Sequence, residues 1–212
     1  NSGHLFNKIA ENLTKTKIIP LCLGPYPLTS NKMIKSRYKF LIERNKLNDS
    51  LSEKYPPMRV ITKIDFDKTV KLADYFLVIG NKKTFSYGSY LKVDKPIFSY
   101  IPYIKKMPFK LKSKKSLNNF ICFAGNGFIV KGVDLVVDIF LELPHFNLEI
   151  YGPNTDSLFF DHYSDKINNS PNIKYRGFID VSSKEFENVC KRNSFQIFLS
   201  CSEGMATSVL TC

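Results

Sequence analysis

No run of apolar residues in this 212-residue sequence is long enough to cross a bilayer, although 43% of its residues are hydrophobic. A membrane-spanning helix needs roughly 18–20 consecutive apolar residues, so a transmembrane helix in this stretch is excluded. Aromatic residues make up 14% of the chain, which supplies a sizeable core and excludes global disorder. The sequence begins at Asn1 and ends inside an apolar run at Cys212, so we expect a fragment.

Histidine and paired cysteine are also scarce. The chain has three His and five Cys and contains no Cys-x-x-Cys pair, which argues against a zinc site. Most of the cysteines lie in apolar stretches, where Cys behaves as a small hydrophobic residue. This pattern favours a reducing compartment such as the cytoplasm.

Acidic residues are few in the first half of the chain. Residues 1–115 contain 24 Lys and Arg but 8 Asp and Glu, whereas residues 116–212 contain 7 and 11. Such asymmetry is typical of two parts with different partners. A basic half suits anionic lipid, nucleic acid or an acidic substrate. A general compositional bias is the alternative, but it does not explain why the second half is acidic.

The first half contains short apolar runs separated by charged stretches. Three of these runs have the length of a buried strand, at Lys17–Gly24, Tyr75–Gly80 and Lys95–Pro102. A weak amphipathic pattern predicts a helix over 32–47, and Asp67 is placed to cap a short helix that reaches Ala73. The Lys-rich stretch 103–119 lacks periodicity and is interpreted as a linker between two lobes.

The second half alternates between strand and helix patterns. Strands are predicted at Phe120–Gly125, Leu148–Gly152, Ile173–Phe178 and Phe195–Leu199. One helix face is formed by Val133, Val136, Val137, Phe140 and Leu141, and a second helix is predicted over Lys184–Arg192. The polar stretch between Gly152 and Ser170 has no clear pattern. The alternation predicts an α/β fold with Rossmann-like parallel sheets and flanking helices.

Two unusual loops follow predicted strands and are therefore expected on the same rim of the sheet, where ligands of such folds bind. The first loop, Gly125–Gly132, precedes a helix. Its glycines allow close backbone approach, a helix start offers N–H groups to an anion, and Lys131 adds a cation. The loop predicts a diphosphate cradle, although it matches neither a Walker A nor a GxGxxG motif. A tight turn with a solvated lysine is the alternative.

The second loop, Ser200–Ala206, places the carboxylate of Glu203 at a strand end. This carboxylate is suited to accept hydrogen bonds from the hydroxyl groups of a sugar. The alternative is an acidic residue favoured by the dipole at the start of a helix.

Three segments, residues 123–153, 171–180 and 196–212, together resemble the C-terminal lobe of retaining glycosyltransferase family 4 and occur in the family's order. Residues 65–102 resemble the end of the family's acceptor-side lobe more loosely. The resemblance implies the two-lobed GT-B architecture. Residues 1–112 would form a partial N-terminal, acceptor-side lobe with its linker. Residues 113–212 would form a donor-nucleotide-sugar-binding lobe that is truncated at its C-terminus.

The resemblance also implies roles for particular residues. Lys131 matches the lysine that contacts the donor diphosphate, and Glu203 matches the first, catalytic Glu of the Glu-x7-Glu motif. The implied donor-binding set is Gly125, Asn126, Lys131, Gly204, Met205, Ala206 and Thr211. Asn126 stands where the family usually has a basic residue, and Thr211 stands where it has the second Glu. No role is assigned to His4.

The implied function is transfer of a sugar, with retention, from a nucleotide-sugar donor to a glycan or polyprenyl-phosphate-linked acceptor. The enzyme would be of hexosyltransferase type and act in surface polysaccharide synthesis, with no metal or other cofactor. We expect a cytoplasmic protein whose basic first half suits the anionic inner membrane face.

Two alternatives remain. The departures at Asn126 and Thr211 favour a catalytically inactive GT-B-like nucleotide-binding or scaffold protein. The basic first half suggests a nucleic-acid binder, but the sequence has no RNP, zinc-finger or helix-turn-helix signature, so no nucleic acid partner is expected.

Overall fold

The computed structural model describes residues 2–48, 61–101, 116–204, 206 and 209. The chain forms two compact units: the first contains residues 1–103 and 202–206, and the second contains residues 104–201 and 207–212. Residues 103–115 of the predicted linker lie outside the described residues, and its last residue, Asn119, is in the first strand of the second unit. The lobe boundary between residues 112 and 113 lies outside the described residues too and stays a prediction.

The first unit contains a three-stranded parallel sheet with the order β1-β2-β3. Its elements are α1 (Ser2–Ala10), β1 (Leu21–Cys22), α2 (Pro27–Arg44), α3 (Lys63–Leu72), β2 (Phe76–Ile79), α4 (Phe85–Ser89) and β3 (Ile97–Tyr100). Phe76 and Val78 of the central strand are fully buried. The aromatic rings of Tyr26 and Phe66 pack edge to face at 4.8 Å, so an aromatic cluster holds the helices against the sheet.

The local predictions for this unit are partly confirmed. All three predicted strands are present, but the first is reduced to two residues. Helix α2 begins at Pro27, earlier than predicted, because proline at the first helical turn has no N–H to leave unpaired. The predicted cap at Asp67 is wrong: Thr62 caps α3 by accepting a hydrogen bond from the N–H of Asp65 at 3.0 Å. Asp65 and Asp67 form an Asp-x-Asp pair inside this helix, not a metal-binding loop.

The second unit contains a four-stranded parallel sheet with the order β6-β5-β4-β7. Its elements are β4 (Asn119–Phe123), α5 (Val133–Glu142), β5 (Asn147–Tyr151), α6 (Ser157–Asn168), β6 (Ile173–Gly177), α7 (Lys184–Arg192) and β7 (Phe195–Ile197). Neighbouring residues of β4 point to opposite faces. Phe120 packs on Phe140 of α5, and Phe123 packs on Phe186 of α7. The predicted α/β class with Rossmann-like parallel sheets and flanking helices is confirmed.

One helix of this unit was not predicted. Helix α6 occupies the stretch that lacked a clear pattern, and Asp156 caps it by accepting the N–H of Phe159. Phe159, Tyr163 and Ile167 recur every four residues and are all buried. The other helices agree with prediction except at Leu141, which is 38% exposed.

A buried carboxylate lies on β5, on the sheet face that α7 covers. Glu149 accepts hydrogen bonds from the guanidinium groups of Arg176 and Arg192 at 2.9–3.1 Å and from the side-chain amide of Asn193 at 2.9 Å. Burial alone would raise the pKa of Glu149, but these hydrogen bonds outweigh it and hold the pKa below its ordinary value. The network ties the end of α7 to the sheet.

Within the ranges that the structure describes, no helix is both long and apolar enough to cross a membrane.

Candidate functional site

The first loop meets Cys201, at the start of the second loop, at the carboxyl edge of the second sheet. Strands β4 and β7 are neighbours, although β7 is the last strand of the unit in chain order. The N–H of Cys201 donates to the carbonyl of Val130 at 3.0 Å. Gly132 has a φ of 72°, and a Cβ there would lie 2.7 Å from the carbonyl oxygen of Leu199. Only glycine therefore permits this approach of the loops.

The strand order also explains why a ligand site is expected at this edge of the sheet. The chain runs outward from β4 through β5 to β6, and then returns to the other side of β4 with β7. The loops after β4 and β7 thus leave the sheet at the point where the strand order reverses. Open α/β sheets bind ligands at this topological switch point.

The N–H groups at the start of α5 are already used within the first loop. Those of residues 131–133 donate to the carbonyl groups of residues 127–129, each at 3.0 Å. These three N–H groups are therefore not the ones that an anion would meet, and the expectation for the rest of the helix start stays a prediction. They instead fold the loop into a compact turn.

The start of the loop is available to a ligand. Gly125 and Asn126 are exposed, and the N–H groups of residues 125–127 donate to no backbone acceptor in the described part of the chain. Gly127 has a φ of 87°, which a residue with a side chain rarely adopts. Successive N–H groups in such a conformation form a concavity that favours anions.

Lys131 lies half-buried near Cys201. Burial lowers the pKa of its ammonium group, whereas the nearby thiol of Cys201 acts in the opposite direction. A cation that is partly removed from water interacts more strongly with a ligand charge than an exposed one does. Lys131 is also the only charged side chain between residues 125 and 132.

Asn126 is held by a neighbouring loop. Its side-chain carbonyl accepts a hydrogen bond from the hydroxyl of Thr155 at 3.3 Å. Thr155 follows β5, so the segments after β4 and β5 are connected at the same edge of the sheet. The amide brings no charge to this position.

The segment 202–206 is grouped with the first unit. The hydroxyl groups of Ser30 and Ser202 share a hydrogen bond of 2.6 Å, and the hydroxyl of Ser86 donates to the carbonyl of Gly204 at 3.1 Å. A Cβ on Gly204 would overlap the carbonyl oxygen of Leu23. The backbone of this segment is therefore closely packed.

The predicted site residues thus fall into three groups. Gly125, Asn126 and Lys131 lie together in the second unit, whereas Glu203, Gly204 and Ala206 are grouped with the first. Glu203 is half-buried. Met205 and Thr211 lie outside the described residues, as does the side chain of His4, to which no role was assigned. The roles of all these residues in catalysis and donor binding stay predictions.

Sequence reasoning missed Asp156, which is 6% exposed. Its carboxylate accepts the N–H of Ile129, in the middle of the first loop, at 3.1 Å. An Asp placed directly before an apolar helical pattern is a capping signal, and this signal was available. The contact with the loop was not, because it joins two separate β-α connections.

The described residues contain no group of three His, Cys, Asp or Glu side chains placed to hold a metal ion. The expectation that no metal is needed stays a prediction.

No family model matches the sequence, and comparison with curated proteins gives no match. Solved structures do match. The pneumococcal O-GlcNAc transferase GtfA in complex with UDP and GlcNAc is 14% identical, with a TM-score of 0.57 over 99% of this chain and 37% of that one. TarM is 13% identical, with a TM-score of 0.63 over the same shares of the two chains.

The chain has the GT-B fold. A GtfA/B complex is a further GT-B match, 15% identical with a TM-score of 0.51, over 72% of this chain and 31% of that one. The chain spans just over a third of the length of the first two structures. At these identities the likeness is one of fold.

Proposed function

We propose that this GT-B chain acts in a nucleotide-sugar-dependent glycosyltransferase of hexosyltransferase type. It would transfer a sugar, with retention, to a glycan or lipid-linked acceptor. The observation that carries the proposal is the loop at the switch point, which combines the half-buried Lys131 with N–H groups of residues 125–127 that donate to no backbone acceptor in the described part of the chain. The fold adds support, because one structural neighbour holds UDP and GlcNAc.

The chemistry of transfer explains why an anion site is needed. As the bond between the sugar and its carrier breaks, negative charge develops on the departing nucleoside diphosphate. In this proposal the ammonium of Lys131 and the N–H groups of residues 125–127 are in place before the reaction, and preorganised groups of this kind stabilise developing charge most effectively. In this proposal no metal ion shares the task.

The other implied residues complete the proposal. Glu203 would lie against the donor sugar and accept hydrogen bonds from its hydroxyl groups. Gly204, Met205 and Ala206 would present backbone to the sugar and phosphate, and Thr211 would hold the ribose with one uncharged hydrogen bond. Because Asn126 brings no cation, the affinity for the diphosphate depends strongly on Lys131.

Replacement of Lys131 by alanine should raise the dissociation constant for the bound nucleotide about 10- to 100-fold, the loss of one charge-assisted contact worth about 1.5–3 kcal/mol. Isothermal titration with UDP, GDP, ADP and CMP identifies the base and measures the effect. Lys174→Ala is the matched control, because Lys174 is an exposed lysine on β6 in the same unit. It should bind like the wild type.

Equal affinity in Lys131→Ala and wild type would contradict the assignment of the diphosphate site. A folded wild-type protein that binds none of the four nucleotides would contradict the donor site as a whole. Tight binding without sugar transfer would instead favour the inactive GT-B scaffold, for which the uncharged Asn126 is the supporting observation.

The basic composition of the first half suggests that the protein binds its acceptor at an anionic surface. Helix α2 exposes Lys32, Lys35 and Lys39, and cationic surfaces of this kind are attracted to anionic lipid. We propose a polyprenyl-phosphate-linked acceptor used in surface polysaccharide synthesis, met at the cytoplasmic face of the membrane.

Co-sedimentation with anionic phosphatidylglycerol vesicles should show binding that weakens as salt is raised from about 0.1 M to about 1 M, where the screening length falls from about 10 Å to about 3 Å. Changing Lys32, Lys35 and Lys39 together to glutamate should abolish it. Vesicles of neutral phosphatidylcholine are the control. Binding that is indifferent to salt would refute an electrostatic membrane contact.

A further inference from the structure

Asp156 connects two elements that the sequence separates. It is the N-cap of α6, where one carboxylate oxygen accepts the N–H of Phe159 at 3.4 Å. The other oxygen accepts the N–H of Ile129, in the loop after β4, at 3.1 Å. Both Asp156 and Ile129 are buried, so water does not readily replace this bond.

The contact is placed where it controls the shape of the loop. Ile129 lies two residues before Lys131, and the carbonyl of Val130 between them accepts the N–H of Cys201 at 3.0 Å. The short segment that ends in Lys131 is therefore held on one side by Asp156 and on the other by the loop after β7. Thr155, next to Asp156, holds the start of the loop through Asn126.

A carboxylate at this position carries an electrostatic cost. Burial raises the pKa of Asp156, although hydrogen bonds from backbone N–H groups oppose the effect. A serine would cap α6 without adding a negative charge near an anion site. Its single short hydroxyl would not also reach Ile129, whereas a carboxylate has two oxygens and serves both donors.

We propose that Asp156 is a positioning residue for the donor diphosphate: it fixes the loop of residues 125–132 so that Lys131 and the N–H groups of residues 125–127 face the ligand together. This inference rests on the proposed function of that loop. It assigns to Asp156 no contact with the substrate itself.

The variant Asp156→Ser tests the inference because it keeps the helix cap and removes the contact with the loop. Its dissociation constant for whichever of UDP, GDP, ADP and CMP the wild type binds should rise at least tenfold, since small displacements of positioning groups have large effects. Amide hydrogen exchange at Ile129 should accelerate in the same variant. If serine does not support folding, Asp156→Thr, which likewise offers one short hydroxyl as a helix cap, is measured in the same way and should show the same direction of change.

Ser183→Ala is the matched control. Ser183 caps α7 in the same unit by accepting the N–H of Phe186 at 3.1 Å, so this variant loses a cap but leaves the loop untouched. It should lower the melting temperature and change neither the nucleotide affinity nor the exchange at Ile129. Wild-type affinity in Asp156→Ser, together with weakened binding in Lys131→Ala, would overturn the inference and leave the proposed function standing. Absence of nucleotide binding in the wild type would overturn both.

Discussion

Replacing Arg176 and Arg192 together by alanine should lower the free energy of unfolding of the second unit by about 3–5 kcal/mol. The double variant leaves the carboxylate of Glu149, 9% exposed in the structure, without either of its cationic partners. Asn193 alone donates too little to offset the loss of hydration. Native-state hydrogen exchange of the β5 amides measures this effect for the second unit by itself.

Adding Glu149→Leu to the double variant distinguishes two causes of the lost stability: the unpaired buried charge of Glu149, and the lost apolar contacts of the two arginine side chains. If the unpaired charge is the cause, the triple variant should recover most of the lost stability, because an apolar residue needs no partner. If it recovers none, the electrostatic explanation is wrong and the arginine side chains act through their apolar contacts.

The pH dependence of the wild type follows from the same network. The pKa of Glu149 is lower in the folded chain than in the unfolded one, where it is about 4.3. Its contribution is therefore complete above that pH and declines as the pH falls through the folded-state value. The triple variant lacks this decline.

Gly152→Ala should destabilise the second unit by about 4 kcal/mol or more, a loss found where a substitution forces backbone apart. A Cβ on Gly152 would overlap the carbonyl oxygen of Ala124. The backbone of Gly152 is not free to move away, because its N–H donates to Gly177 at 2.9 Å and its carbonyl accepts the hydroxyl of Tyr175 at 2.8 Å. Thermal unfolding followed by circular dichroism should show a strongly lowered midpoint.

Gly177→Ala is the comparison that isolates the overlap. Gly177 has a φ of 76°, and a Cβ there would meet nothing within 4 Å. The variant carries backbone strain without a clash and should lose about 1–2 kcal/mol. Equal losses at Gly152 and Gly177 would show that the contact with Ala124 is not the cause.

Periodicity and glycine placement were sufficient to predict most of the fold. The helix over Lys184–Arg192 and the four strands of the second sheet appear where the patterns placed them, with ends shifted by one or two residues. Helix α6 was missed because its apolar residues are interrupted by charged ones. The predicted N-cap of α3 was wrong because the helix begins before the apolar pattern does, so that Thr62 and not Asp67 is at its start.

The sequence was sufficient to predict which loops form the candidate site, but not which hydrogen bonds those loops make. Strand ends alone indicated that the loops after β4 and β7 share a rim. Which N–H groups remain for a ligand depends on turns within the loop, and the sequence gives no measure of these. The link between Asp156 and Ile129 is likewise a product of the tertiary fold, since two strand-to-helix connections must first be brought together.

The position of β7 in the sheet has a consequence for the order in which the candidate site forms. Phe120 of β4 pairs with Leu148 of β5, which is close to it in the sequence. Phe120 also pairs with Phe195 of β7, which is synthesised much later. Pairings between distant residues form slowly, because a long loop must close before they contribute. The three-stranded portion β4-β5-β6 can therefore assemble on the emerging chain, whereas the candidate site at the switch point is complete only after β7 has docked. If the proposed function is correct, a nucleotide added during refolding would stabilise the finished unit without accelerating the steps that precede this last pairing.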